Sequence, residues 1–300
     1  MLLKLFDYIE IKTKITSLFA FLLTTAYIYY IDKPINWRLT LIFFVSMFVF
    51  DLTTTAINNY IDTKTNHQTL VFKRSTALKI IYVLFIISAG FGLYLAYLTD
   101  IVILLAGGLC FICGVFYTFG PVPISRQPLG EVFSGVFYGL LIPFILLYIN
   151  MPEGTYLALK LGLDTVTISI KVMPIVTLLL LSIIPTSVTA NIMLANNICD
   201  LDKDIAVMRH TLPYYIGNKP SLYLFAILYY IPYMALIAMV SLKMLSPLCL
   251  LALITFIPVQ RNISTFFKKQ DKEKTFICSI KNYVIIMASI TLLIFISALL

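Results

Sequence analysis

The chain has 300 residues, 60% of them apolar and only 12% charged, with a formal net charge of +8. A soluble domain of this size carries about twice that share of charge, so composition excludes the ordinary soluble class before any motif is read. A basic balance can signal nucleic acid, but the placement of the basic residues, given below, excludes that partner.

Met1–Lys14 carries mixed charges, and no small-residue cleavage site follows the first apolar stretch. That stretch is therefore expected to be a retained helix, not a signal peptide. A membrane span needs roughly 17–25 mostly apolar residues. Candidates follow at 15–31, 39–61, 77–98, 101–119, 132–149, 172–195, 221–242, 245–260 and 280–299. The expected fold is one all-α domain over 1–300, a polytopic bundle of about nine transmembrane helices. Pro143, Pro174, Pro185, Pro232 and Pro258 fall in or near these spans, where neighbouring helices or a cavity can satisfy the freed backbone groups. Cys110 and Cys113 form a C-x-x-C inside the apolar run 101–119. With no second pair to complete a zinc or redox site, they read as small packed hydrophobes.

Of the 22 Lys and Arg residues, 17 fall in the N-terminal segment and the even-numbered connections, from Lys4, Lys12 and Lys14 through Lys64, Lys73, Arg74 and Lys79 to the cluster Arg261–Lys281; 5 fall in the odd-numbered ones. This bias places the N-terminus and the even connections in the cytoplasm and the C-terminus outside a cell membrane.

Two segments share one polar pattern. Asn58-Asn59-Tyr60-Ile61-Asp62-Thr63-Lys64-Thr65-Asn66 closes the second span, and Asn196-Asn197-Ile198-Cys199-Asp200-Leu201-Asp202-Lys203-Asp204 closes the sixth. Both spans run toward the cytoplasm, so both motifs emerge on one membrane face. Positions i, i+4 and i+8 of a helix drift by only about 40° per step, which keeps Asn58, Asp62 and Asn66 on one side, and likewise Asn196 or Asn197, Asp200 and Asp204. Two such faces opposed gather carboxylate and amide oxygens around one point. Those ligands suit Mg²⁺, which commonly bridges to phosphates. No His or Cys cluster is present for zinc; His67 and His210 are isolated, and Asp202 points away into solvent. Internal repeats often place a site at the interface of two halves.

At these residues the sequence resembles the UbiA superfamily of intramembrane prenyltransferases. That family carries N-D-x-x-D-x-x-x-D on its second helix and D-x-x-x-D on its sixth, within nine helices. Asp200 and Asp204 take the family's aspartates, and Asn58 and Asp62 match, whereas Asn59 and Asn66 replace aspartates. Tyr117-Thr118-Phe119-Gly120-Pro121-Val122-Pro123 followed by Leu129-Gly130-Glu131 is similar to a segment of the 1,4-dihydroxy-2-naphthoate polyprenyltransferase branch of menaquinone synthesis, with Phe119 in place of a glycine and Arg126 where a tyrosine is usual.

The resemblance implies a Mg²⁺-dependent prenyltransferase acting on a polyprenyl diphosphate and an aromatic acid. It implies metal ligands at Asn58, Asp62, Asn66, Asn197, Asp200 and Asp204, with Asp62, Asp200 and Asp204 essential to catalysis. Asn59, Asn196, Lys73, Arg74 and Arg209 would contact the diphosphate. Tyr117 would hold the diphosphate or face the allylic cation, and Arg126 would meet the acceptor's carboxylate. Asp51 stands apart, in the middle of the second span. A carboxylate there costs roughly 2.5–3.5 kcal/mol on insertion scales and suggests a functional role. It shares the face of Asn58 and Asp62, some 10–16 Å deeper. Two readings stay open for it: a border of the acceptor or tail region, or a protonated group hydrogen-bonded between helices.

Two other classes compete. A transporter would share the repeats and broken helices, but its polar sites lie at the midplane, and here they lie at helix ends. Lipid-headgroup phosphotransferases use a D-G-x-x-A-R string that this chain lacks.

Overall fold

The structure is a computed structural model describing residues 2–65, 69–121, 123–162 and 164–300. A short helix α1 (Leu2–Tyr8) and a 3₁₀ turn (Ile11–Lys14) lead into α2 (Ile15–Tyr30), α3 (Trp37–Thr65), α4 (Arg74–Leu98) and α5 (Ile101–Phe116). Helices α6 (Gly130–Val136) and α7 (Ile142–Asn150) are joined through a π-helical turn, Phe137–Leu141, into one apolar rod. A hairpin of β1 (Leu157–Leu161) and β2 (Val166–Ile170) precedes α8 (Val172–Cys199). Two short helices follow, α9 (Leu201–Ala206) and α10 (Leu212–Ile216), and then α11 (Asn218–Ser241). A 3₁₀ stretch (Pro247–Thr255) runs into α12 (Phe256–Lys268), and α13 (Ile277–Ser297) closes the chain.

Seven of the described helical segments are long and apolar enough to cross a membrane, and Ile15–Tyr30 and Ile101–Phe116 are shorter apolar helices. Together they follow the expected order of spans. The fold is a multi-pass helical membrane bundle. Its core is built from α2, α7, α8, α11 and α13, with Leu146, Leu181, Val188, Tyr229 and Ile290 fully buried.

Three local features depart from the sequence reading. The eighth span extends to Lys268 instead of ending near 260. Counting apolar residues stops at Gln260-Arg261-Asn262, yet the helix continues because Val259, Ile263 and Phe266 recur at helical spacing and are buried. The hairpin was not expected in an all-α chain. Its cue is the alternation Val166-Thr167-Ile168-Ser169-Ile170, which puts apolar residues on one face of a strand. The third is the close approach of α8 to the π turn. A Cβ on Gly139 would lie 2.2 Å from the Thr186 backbone nitrogen, so only glycine permits this contact, next to Pro185 of α8.

Candidate active site

The first polar motif ends α3; the second, expected as one helical face, ends α8 at Cys199 and continues past a break at Asp200 into α9. Asp204 shows how close they come. It is buried on α9, and its carboxyl is pushed up to about 6. Burial is the largest cause; Arg209 and Lys272 pull it back down, while the neighbouring carboxylates Asp200 and Asp62 push it up further. Asp62 of the first motif thus acts on Asp204 of the second, and Asp62 itself has Arg209, Arg126 and Glu10 as electrostatic neighbours. Like charges are held together here against their repulsion, as expected of a site built to take a cation.

The amides are oriented. Asn197 donates through Nδ2 to Glu131 Oε1 at 2.8 Å. Among the described residues its own buried Oδ1 receives no hydrogen bond, and the same is true of Asp204 Oδ2 and Glu131 Oε2. Buried acceptors in native proteins nearly always find a donor, so these oxygens suit a hard cation. Asn58 Oδ1 accepts from Thr118 Oγ1 at 3.0 Å, which fixes the orientation of that amide. Among the described residues no three His, Cys, Asp or Glu side chains converge as a metal cluster. The donors are paired carboxylates with amides, the kind of incomplete set that Mg²⁺ uses when substrate phosphates supply the remaining ligands.

The other residues singled out in the sequence divide into two groups. Arg209 stands in the site: its Nε donates to the Ser125 carbonyl at 2.9 Å and its Nη1 lies 3.8 Å from Asp204 Oδ1. Arg126 is close to Asp62, and its carbonyl accepts from the His210 backbone N–H at 3.2 Å. Tyr117 lines the cavity with its hydroxyl 3.6 Å from Met193 Sδ. Arg74, in contrast, donates to the Tyr60 and Thr63 carbonyls at 3.1 and 3.3 Å, so it caps the C-terminal end of α3. Asn59 donates to the Tyr8 carbonyl at 2.9 Å and to Glu10 Oε1 at 3.1 Å, clipping the N-terminal segment to α3. An aspartate at 59 could make neither bond, which explains the amide. Lys73 is exposed, and Asn66 lies outside the described residues.

Two site residues were missed by sequence reasoning. Glu131, noted only as part of a motif, orients Asn197. Glu131→Ala is expected to lower turnover by about 10–100-fold through loss of that orientation, with thermal unfolding unchanged within a few degrees; steady-state kinetics check it. Lys272 donates to Asn196 Oδ1 and Asp200 Oδ2. It projects from a turn in which Asp271 Oδ1 accepts the Glu273 and Lys274 backbone N–H groups at 3.0 and 3.1 Å. In sequence it is one charge in a run of charges.

Below the motifs a cavity opens between α3, α5 and the α6–α7 rod. Its upper wall is polar, with Asn58, Thr118, Tyr117, Thr54, Asp51 and Tyr138; its lower end is apolar, with Phe43, Leu95, Phe111, Ile103 and Ile145. From Asn58 to Phe43 is about 22 Å of helix. Asp51 is ionically paired: its Oδ1 lies 2.9 Å from Lys14 Nζ, and it also accepts from Ser17 and Tyr138.

Residues 17–294 match the UbiA prenyltransferase family, nearly the whole chain. The chain belongs to the UbiA prenyltransferase family. A 1,4-dihydroxy-2-naphthoate octaprenyltransferase of Bacillus subtilis (strain 168) is 29% identical over 134 residues, covering 45% of this chain and 37% of that relative's length. The fold is that of solved UbiA-type proteins. A digeranylgeranylglyceryl phosphate synthase structure gives a TM-score of 0.66 at 17% identity, covering 99% of this chain and 98% of that one. A UbiA homolog from Archaeoglobus fulgidus bound to GPP and Mg²⁺ gives 0.63 at 14% identity, covering 99% and 100%. A homolog from Aeropyrum pernix K1 gives 0.66 at 16% identity, covering 91% and 97%.

Proposed function

We propose that this UbiA-family prenyltransferase transfers a polyprenyl group from a prenyl diphosphate to an aromatic acid, 1,4-dihydroxy-2-naphthoate, giving the quinol form of demethylmenaquinone. The observations that carry the reading are the neighbouring carboxylates Asp62, Asp200 and Asp204 at the ends of the two motifs and a cavity that is polar at its Asn58 end and apolar at the other. Together they suit a ligand with an anionic head and a hydrocarbon tail. The naphthoate acceptor is supported by the Tyr117–Pro123 segment and by the partial match to the Bacillus subtilis enzyme. The site faces the cytoplasm of a cell membrane, as does the N-terminus, with the C-terminus outside; the charge bias supports this.

Asn58, Asp62, Asn197, Asp200 and Asp204 would hold Mg²⁺, which when bound would supply Lewis-acid neutralisation of the leaving diphosphate. The protein's residues do the rest. Glu131 and Thr118 hold the amide oxygens in place, and Arg209 and Arg126 offer guanidinium donors to anionic oxygens. The C–O bond of the prenyl diphosphate breaks, with its electron pair leaving on the diphosphate. Tyr117 presents an aromatic ring beside the allylic cation, and the apolar cavity keeps water from it. The ring carbon bearing the carboxylate forms the new C–C bond. Carboxylate then leaves as CO₂, and its bonding pair restores the aromatic ring.

The test uses the purified protein in lipid nanodiscs with Mg²⁺, a prenyl diphosphate and a panel of aromatic acids. The expected result is diphosphate release that requires both metal and acceptor, with prenylated naphthalenediol found by mass spectrometry. Transfer to a different aromatic acid alone would replace the acceptor. Passage of unaltered prenyl diphosphate across a liposome, with no product, would overturn the reading in favour of transport.

The tail end of the cavity yields a further expectation. Gly107 lines it, and a Cβ placed there meets nothing within 4 Å. A Gly107→Phe ring would fill that space, so acceptance of the longest prenyl diphosphates should fall by at least about tenfold relative to the shortest, the scale on which apolar pockets discriminate length. Competition between diphosphates of different length reads it.

A further inference from the structure

Binding a metal and a diphosphate does not account for the charge buried in the cavity wall. Lys14 and Asp51 are each only 5% exposed. Hydrocarbon in place of such a pair is often neutral or stabilising, so stability alone gives no reason for an ion pair inside a membrane bundle. The two partners are placed differently. Lys14 is bound by the Asp51 carbonyl at 3.0 Å and by Thr55, and it is not among the residues lining the cavity. Asp51 lines the cavity, and among the described lining residues it alone is charged.

An ionised carboxylate has about four acceptor positions. Asp51 Oδ1 receives Lys14 at 2.9 Å and Tyr138 at 2.8 Å, while Oδ2 receives only Ser17 at 2.6 Å. Among the described residues nothing else donates to Oδ2, which leaves one position on it. Tyr138 reaches Asp51 from the π-helical turn Phe137–Leu141, a distortion found frequently at functional sites. The wall here is thus a fixed, lysine-backed hydrogen-bond acceptor, about 10 Å of helix below Asn58.

We propose that Asp51 Oδ2 is the binding subsite for a phenolic hydroxyl of the acceptor. The proposal rests on the aryl-transfer reading above and adds how the acceptor is chosen and turned. A carboxylate accepts a hydrogen bond from a hydroxyl and repels another carboxylate. It therefore sends the acceptor's acid group up toward Arg126 and Arg209, with the ring between. A hydroxyl bonded to an anion also enriches the ring that must attack the allylic cation. No proton needs to leave the hydroxyl for this.

The experiment measures anaerobic binding of 1,4-dihydroxy-2-naphthoate and of the 1-hydroxy and 4-hydroxy analogues, without prenyl diphosphate. The proteins are the wild type and the charge-neutral double variant Lys14→Met/Asp51→Asn. One hydrogen bond to a charged group is worth about 10–100-fold, so the wild type should bind the dihydroxy acid that much more tightly than one of the analogues. In the double variant that preference should fall below about threefold, while KM for prenyl diphosphate stays within about twofold. Asp51→Glu keeps the charge for Lys14 and moves the oxygen by one methylene. It should lose the same preference, and it covers the case in which the double variant does not fold. An unchanged hydroxyl preference in either folded variant overturns the subsite. Transfer with no such preference would remove the subsite and keep the reaction; preference without any transfer product would do the reverse.

Discussion

Asp204→Ala is expected to lower turnover by at least about 100-fold while leaving the protein inserted and at least as stable as the wild type. The kinetic part follows if the Asp204 carboxylate helps to hold the Mg²⁺ that would neutralise charge on the leaving diphosphate; losing one such preorganised group costs about 10²–10³-fold. The stability part has the opposite sign for a physical reason. Asp204 is buried, its Oδ2 has no donor, and burial with the charges of Asp200 and Asp62 holds its carboxyl at about 6. Its ionised form is a cost to the fold, so removing it relieves that cost. Asp62→Ala should lose activity to a similar extent. Thermal unfolding in nanodiscs and acceptor-dependent diphosphate release, measured on the same preparation, check both halves. Near-normal product from either variant would remove the two motifs from the reaction, and a large fall in Tm would make Asp204 a structural residue.

The largest expected effect on stability lies elsewhere, at Lys14. Lys14→Met leaves Asp51 buried among helices without its cation, and breaking a buried pair from one side costs about 3–5 kcal/mol. Lys14 also donates to the Asp51 carbonyl and Thr55, so the loss extends to the 3₁₀ turn that leads into α2. Adding Asp51→Asn should recover most of the loss, because the stranded charge is gone. A double-mutant cycle of unfolding free energies measures this coupling. Additive single-variant losses would mean that the two groups do not act as a pair.

The polar motifs show why part of the site was legible in sequence. Helical spacing fixes which residues of one motif share a face, so Asn58 with Asp62 and Asp200 with Asp204 could be grouped from one-dimensional spacing alone. The same spacing could not show that Asn59 donates to the N-terminal segment or that Arg74 turns back onto the end of α3. Both are contacts with segments distant along the chain or around a loop, and a basic or amide residue after a motif looks the same whether it faces a ligand or a helix end. Lys272 and Glu131 were hidden for the same reason, since their partners Asp200 and Asn197 lie 72 and 66 residues away.

Asp51 divides the two kinds of information most sharply. Its burial in a span, and its place on the Asn58–Asp62 face, follow from apolar run length and a 100° turn per residue. Whether it is protonated or paired depends on the approach of Lys14 from another helix, which no local pattern encodes. The chain alone thus determined what is periodic or compositional: membrane insertion, order of spans and the two polar motifs. Packing decided which charges meet, which amides turn their oxygens inward, and where the cavity ends, because those depend on distances between segments that only the folded bundle brings together.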